Sequence, residues 1–166
     1  MIINAIRKRR STRFYKDEPV SDEQIGEIIK AAQFAPTAYN NRAIEYVVVR
    51  DQKTKDKLCE LAVAKQDFVK EAPVLLVLVS DPDKSDHSNE DLAIAYAYIS
   101  LQAVELGLGT VWKNVDSSAE EPIKDLLGIP QKLRLIYLIP VGHDRDPRPE
   151  HKDEEFDNSK IHNERW

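Results

Sequence analysis

The sequence predicts one domain in which helices cover both faces of a central β-sheet. Residues 74–79 form an apolar run without alternation, which is typical of a strand that is buried on both faces. Residues 91–106 have the length of a helix and are apolar nearly all round, so this helix must pack against more than one surface. With 166 residues and no internal repeat or linker, the chain has the size of a single domain, which we assign to residues 1–166.

The first half of the chain alternates between helices and one strand. A short apolar helix is predicted to open the chain. Ser21 and Gln24 then form a capping-box pattern that begins a second helix, which Pro36 ends. The β-branched run at residues 46–49 predicts a strand, and residues 51–65 carry their leucines on one helical face.

The second half begins with the buried strand described above. Residues 80–89 are rich in Asp, Ser and Pro and predict a surface loop before the apolar helix, which Gly107 ends. We expect Pro122 in the first turn of a short helix that ends at Gly128. Residues 133–141 predict another central strand. The remaining tail has no long apolar face, so it is either loose or wrapped over another surface.

Composition excludes several classes of protein. The chain is 42% hydrophobic and 32% charged, which is typical of globular domains, and its net charge of −5 disfavours binding to nucleic acid or to anionic membranes. We find no apolar run that could cross a bilayer and no signal-peptide pattern. The single cysteine, Cys59, fits a reducing compartment, so we expect a cytoplasmic protein. The four histidines lack metal-ligand spacing, and we assign no metal.

The first candidate site is the basic run at residues 9–13, Arg-Arg-Ser-Thr-Arg. Guanidinium groups beside a hydroxyl match the oxygens of a phosphate. A solvated helix end, where cations favour the helix dipole, explains the same residues equally well. Nucleic-acid binding is disfavoured, because no aromatic platform or helix-turn-helix pattern accompanies the run.

Two further segments are candidates for ligand contact. Residues 36–42 form a polar loop rich in groups that can donate to a heterocycle, although an ordinary turn has the same composition. Residues 107–112 begin like a dinucleotide-binding fingerprint, but they follow a helix and place Trp112 at the third glycine, which disfavours a Rossmann site. They provide either a backbone that a flat ligand can approach or a simple helix end. No nucleophile paired with a base is evident, so an enzyme with this sequence needs a cofactor.

Four segments, in this order, resemble the nitroreductase family of FMN-dependent NAD(P)H oxidoreductases. They are residues 9–13, residues 36–42, residues 106–112 and the ending at residues 160–166. The resemblance covers nearly the whole chain and is to a short member of the family. It implies an α+β fold with a central mixed β-sheet flanked by helices. It also implies an intertwined homodimer in which the C-terminal arm, residues 144–166, is exchanged.

The resemblance further implies where the cofactor binds. The basic run would hold the phosphate and ring edge of FMN, with Arg13 tuning the ring electronically, and the 36–42 loop would approach the ring from the partner subunit. The implied cofactor-binding residues are Arg9, Arg10, Ser11, Arg13, Pro36, Thr37, Ala38, Asn40, Arg42, Thr110, Val111, Trp112 and Lys152.

The implied activity is ping-pong hydride transfer through flavin N5. NADH or NADPH would donate the hydride and leave. A small organic acceptor of the nitroaromatic, quinone or enone type would then bind at the same position over the flavin. A non-catalytic flavin carrier or regulatory module is the alternative. Where many members have Gln-Pro and an aromatic, this chain has Arg42-Ala43-Ile44, a departure that concerns the substrate pocket.

Overall fold

The computed structural model describes residues 2–62 and 66–166, so part of the helix predicted at residues 51–65 lies outside the described residues. Short 3-10 turns occur at Ala38–Asn40, Asp153–Glu155 and Asn158–Lys160. Within the described ranges the helices and strands are, in chain order, α1 (Asn4–Lys8), α2 (Asp22–Gln33), β1 (Ile44–Val49), α3 (Gln52–Leu61), α4 (Phe68–Glu71), β2 (Val74–Ser80), α5 (Ser88–Glu105), β3 (Gly109–Thr110), β4 (Lys113–Asn114), α6 (Ser117–Leu127) and β5 (Tyr137–Gly142).

The strands form one sheet in the order β1-β2-β5-β3, and β4 also pairs with β5. Strand β2 is central, as predicted, and every residue in it is buried. The α+β class is confirmed, but the ladders between the named strands are antiparallel rather than mixed, and a parallel pairing occurs at the isolated bridge between Ser11 and Thr110. In the described ranges, helices α3 and α4 lie between β1 and β2, and β2 runs antiparallel to β1.

Helices pack on both faces of the sheet because β2 alternates between two cores. Leu76 points towards α2 and α5, where it packs in one apolar cluster with Ile28 and Ile99. Leu75 points the other way and packs in the cluster that includes Leu58 of α3. Because both faces of β2 are buried, its sequence does not alternate between apolar and polar residues.

Most helix ends follow the local signals. The Ser21 hydroxyl accepts a hydrogen bond from Gln24 N at 3.1 Å, and Ser21 N donates to Gln24 Oε1 at 3.0 Å, which confirms the capping box. Gly107 and Gly128 adopt left-handed φ angles of +72° and +67° and end their helices as predicted.

Three boundaries differ from the sequence prediction. Pro122 lies inside α6 rather than in its first turn, because α6 begins at Ser117. The helix tolerates it there, since the missing N–H removes only one bond near the N-terminus. Helix α5 begins at Ser88, inside the predicted loop, and β5 begins at Tyr137, later than predicted. In the ranges the structure describes, no helix is long and apolar enough to span a membrane.

Candidate functional site

The basic run at residues 9–13 lies directly against β3. Thr12 N donates to Thr110 O at 3.0 Å, and Ser11 forms a parallel bridge with Thr110. This close approach needs glycine at position 109, because a Cβ there would overlap Thr12 Oγ1 and would lie 2.7 Å from Thr12 Cβ. Thr12 Oγ1 also donates to Asp144 Oδ2 at 2.6 Å. Two segments that the sequence singled out separately therefore form one site.

Tyr96 of α5 stands beside this junction. Its ring meets that of Trp112 edge to face, with centroids 5.3 Å apart. Burial raises the pKa of the Tyr96 hydroxyl, and the positive charges of Arg9 and Arg13 partly oppose that shift. The sequence reasoning missed Tyr96, because it looks like one more apolar position of a buried helix.

A third aromatic ring packs against this cluster. Tyr137 of β5 packs against Trp112 with ring centroids 3.9 Å apart. Its hydroxyl is buried and has no hydrogen-bond partner among residues 2–62 and 66–166, and burial raises its pKa. Trp112 itself is 37% exposed, so it forms the outer surface of the cluster.

The arginines of the basic run have different partners. Arg10 Nε donates to Pro149 O at 2.8 Å, and its guanidinium lies 3.5 Å from a carboxylate oxygen of Glu155. In the described part of the chain, neither Arg9 nor Arg13 forms an ion pair with a carboxylate. Arg9 and Arg13 therefore present positive charge that no internal acid neutralises, whereas Arg10 is already engaged by the C-terminal arm.

The first part of the C-terminal arm lies along the basic run of its own chain. His151 N donates to Arg7 O at 2.9 Å, and Arg7 donates back to His151 O at 3.2 Å. The His151 ring, 2.6 Å from Glu155, and Lys152 N lower the pKa of Glu155 to about 2. A cavity of about 520 Å³ between α1 and the arm is lined by both Arg9 and Lys152. The structure thus brings Lys152 to the basic run, while exchange of the arm between subunits stays a prediction.

The 36–42 loop is held by a buried carboxylate that the sequence reasoning missed. Ala38 N donates to Asp91 Oδ1 at 2.8 Å, and Ser85 Oγ donates to Asp91 Oδ2 at 2.7 Å. Asp91 is only 2% exposed. The signal that could have revealed it is a carboxylate in the first turn of an otherwise apolar helix.

The same loop has an unusual backbone. Tyr39, Asn40 and Arg42 have φ angles of +51°, +55° and +50°, although none is glycine. Left-handed conformations cost side-chain-bearing residues roughly 1–2 kcal/mol each, so other contacts must maintain the shape. Arg42 N donates to Thr37 Oγ1 at 3.3 Å, and Asp91 supplies the remaining anchor. Pro36, like Asn40, is exposed.

The structure therefore joins some predicted site residues and leaves others apart. Residues 9–13, residues 110–112 and Lys152 lie at one site. Across the described ranges of this single chain, no hydrogen bond or ion pair connects the 36–42 loop to that site. The expectation that the loop acts on the partner subunit's cofactor stays a prediction.

The fold and the cationic, aromatic edge of β3 define a small α+β domain with a site suited to a planar, anionic ligand. Comparison with known proteins then supplies the family. The sequence model of the Nitroreductase family matches residues 6–65 and 60–143. The chain belongs to the nitroreductase family, which confirms the resemblance seen in the sequence.

Individual relatives agree with this assignment. A solved structure of an FMN-dependent nitroreductase from Clostridium difficile is 34% identical, covers 99% of this chain and 100% of its own, and superimposes with a TM-score of 0.93. An Archaeoglobus fulgidus protein provisionally named NADH dehydrogenase/NAD(P)H nitroreductase is 33% identical over 99% of this chain and 98% of its own length. The FMN reductase (NAD(P)H) of Bacillus subtilis is 30% identical over 87% of this chain and 66% of its own.

Proposed function

We propose that this protein is an FMN-dependent oxidoreductase that uses NADH or NADPH to reduce a small organic acceptor. The activities for which the relatives from Clostridium difficile and Bacillus subtilis are named support this proposal. The observation that carries it is the contact between the basic run and β3, where Thr12 N donates to Thr110 O beside the Tyr96–Trp112 pair. That contact places cationic donors at the edge of an aromatic surface.

The residues present fit an FMN phosphate. The guanidinium groups of Arg9 and Arg13 have no acidic partner among the residues described, and a phosphate dianion is a strong acceptor for such groups. Lys152 lines the same cavity as Arg9, but the carboxylates of Asp153 and Glu155 and the apolar side chains of Ile2, Ile6 and Phe156 line it too, so the support for a phosphate site comes from the arginines. We assign the phosphate to Arg9, Arg10, Ser11 and Lys152, with Arg10 also tied to the arm, and we assign the ring edge to Arg13.

The flavin ring would lie along residues 110–112, and a second subunit would complete its binding site. In this arrangement the 36–42 loop of the partner subunit approaches the ring through Pro36, Thr37, Ala38, Asn40 and Arg42. The exposed apolar side chains of the opening segment support a homodimer, because such residues are normally covered. They are Ile2, Ile3 and Ile6, which are 54%, 60% and 47% exposed.

Bound FMN supplies a ring that can accept a hydride and pass it on, chemistry that no side chain of this chain provides. The cation of Arg13 stabilises negative charge that develops at the ring edge. In this proposal NAD(P)H and then the acceptor use the same open face of the ring, beside the exposed Trp112, and ping-pong kinetics would follow. The nitroaromatic, quinone or enone class of the acceptor and the cytoplasmic location stay predictions.

Spectroscopy and steady-state kinetics test the proposal. We expect the purified protein to be yellow or to take up added FMN, and to lose its visible absorption when NADH or NADPH is added under nitrogen. Double-reciprocal plots should be parallel, and intersecting lines would exclude a shared face. A protein that binds FMN but never oxidises NAD(P)H would instead be the carrier or regulatory module.

A further inference from the structure

A separate cavity of about 320 Å³ lies beside the 36–42 loop. It is bounded by the end of α2, the loop and the beginning of β1. Phe34, Ile44 and Tyr46 line it with apolar and aromatic surface, while Thr37 and Arg42 supply polar groups. Small-molecule sites are typically about 300–1,000 Å³, so this cavity suits a ligand with one ring rather than a dinucleotide.

Arg42 brings a positive charge to this cavity that the chain does not neutralise. Its Nε donates to the neutral amide oxygen of Asn40 at 3.3 Å. In the portion of the chain that the structure describes, no carboxylate forms an ion pair with Arg42, whereas Arg50 is paired with one at 2.7 Å.

The backbone around Arg42 is constrained, and the bond from Nε to Asn40 orients its side chain. Arg42 has a left-handed φ of +50°, and its N–H is tied to Thr37 Oγ1 at 3.3 Å. Guanidinium groups present five N–H donors in a planar fork that matches a carboxylate, and most of those of Arg42 remain available. Aromatic walls beside such a fork favour a planar ligand with an acidic group.

We propose that this cavity selects anionic electron acceptors, specifically aromatic carboxylates with one ring. The carboxylate binds the guanidinium of Arg42, and the ring packs against Phe34 and Tyr46. Burial raises the pKa of Tyr46 to about 12, so its hydroxyl is neutral at physiological pH and does not repel the acid. This inference rests on the proposed function, because the loop that carries Arg42 is the one assigned to the flavin face.

The test compares two acceptors that differ in charge but hardly in shape, 4-nitrobenzoate and 4-nitrobenzamide, each reduced by the FMN-loaded enzyme with NADH. In Arg42→Gln, kcat/KM for the carboxylate should fall about tenfold relative to the amide, because one charge-assisted contact is lost. Lys57→Gln is the matched control. It removes one positive charge from an exposed position of α3, on the other face of the sheet, and should leave the ratio unchanged.

Other outcomes overturn the proposal. An unchanged carboxylate-to-amide ratio in Arg42→Gln excludes acceptor selection by Arg42. If the same variant changes the NADPH-to-NADH preference instead, the anion recognised is the phosphate of the donor. If it releases FMN on dialysis while Lys57→Gln does not, and the carboxylate-to-amide ratio is that of wild type once FMN is restored, Arg42 serves the cofactor alone and the acceptor role is excluded.

A binding measurement separates this inference from the proposed function. Calorimetric titration of 4-nitrobenzoate into the purified protein, with and without added FMN, requires no turnover. We expect wild type to bind about tenfold more tightly than Arg42→Gln even in preparations that fail to oxidise NAD(P)H. Equal affinities for the two proteins would refute binding of the carboxylate by Arg42 in this cavity. Weak binding by the variant together with absent turnover would refute only the oxidoreductase proposal.

Discussion

Replacing Asp91 with alanine tests how the 36–42 loop is held. The substitution leaves two donors, the partly buried Ala38 N and the buried Ser85 Oγ, without their acceptor. Each unpaired buried group costs roughly 1–3 kcal/mol, so we expect a loss of about 4 kcal/mol in the free energy of unfolding. For a domain of this size, that corresponds to a decrease of about 10 °C in Tm. Asp91→Asn keeps one acceptor and offers an N–H to Ser85 Oγ, so it should lose only about 1 kcal/mol.

Urea denaturation followed by circular dichroism measures these differences. Asp86→Ala is the control, because Asp86 is exposed on the same connection and its side chain lies 3.5 Å from that of His87. It should change stability by less than about 0.5 kcal/mol. Asp91→Ala should also weaken FMN retention, since the strained loop loses its anchor. An Asp91→Ala protein as stable as the Asp86→Ala control would refute the role of this carboxylate.

Three further predictions concern the basic run and the arm. Gly109→Ala should destabilise the protein by about 2 kcal/mol and lower FMN occupancy, because the added Cβ overlaps Thr12; unchanged urea denaturation would contradict this. Arg10→Ala should lower FMN affinity about thirtyfold and speed proteolysis of the arm, to which Arg10 is hydrogen bonded, while Arg165→Ala in the exposed tail should do neither. The folded-state pKa of Glu155 is lowered from 4.5 to about 2, so its contribution to arm docking is present above pH 4.5 and is lost as the pH falls towards 2. An NMR titration of the arm should show this transition in wild type and not in Glu155→Gln.

Local signals in the sequence predicted much of the fold. The capping box at Ser21, the left-handed stops at Gly107 and Gly128 and the buried strand β2 all depend on neighbouring residues, and the structure confirms them. Pro122 was misplaced because a proline early in a helix and one slightly deeper inside it have the same local sequence pattern.

Contacts between distant residues were beyond local reasoning. Thr12 and Asp144 are 132 positions apart, and Ala38 and Asp91 are 53 apart. Nothing in the sequence near Tyr96 distinguishes it from the other large side chains of α5. Such contacts exist only once the sheet and its two helical layers are packed, because packing decides which side chains meet.

The sequence by itself determined most of the longer elements and the family, because short motifs and periodic burial are properties of neighbouring residues; the set of residues that binds the cofactor stays a prediction. Only the tertiary structure decided how those residues are used. It ties Arg10 to the C-terminal arm, and within the described ranges it gives Arg9, Arg13 and Arg42 no ion pair with an acid and sets Arg42 beside an aromatic cavity. The electrostatic role of each arginine depends on the carboxylates that folding brings near it, and that proximity is not encoded at any single position.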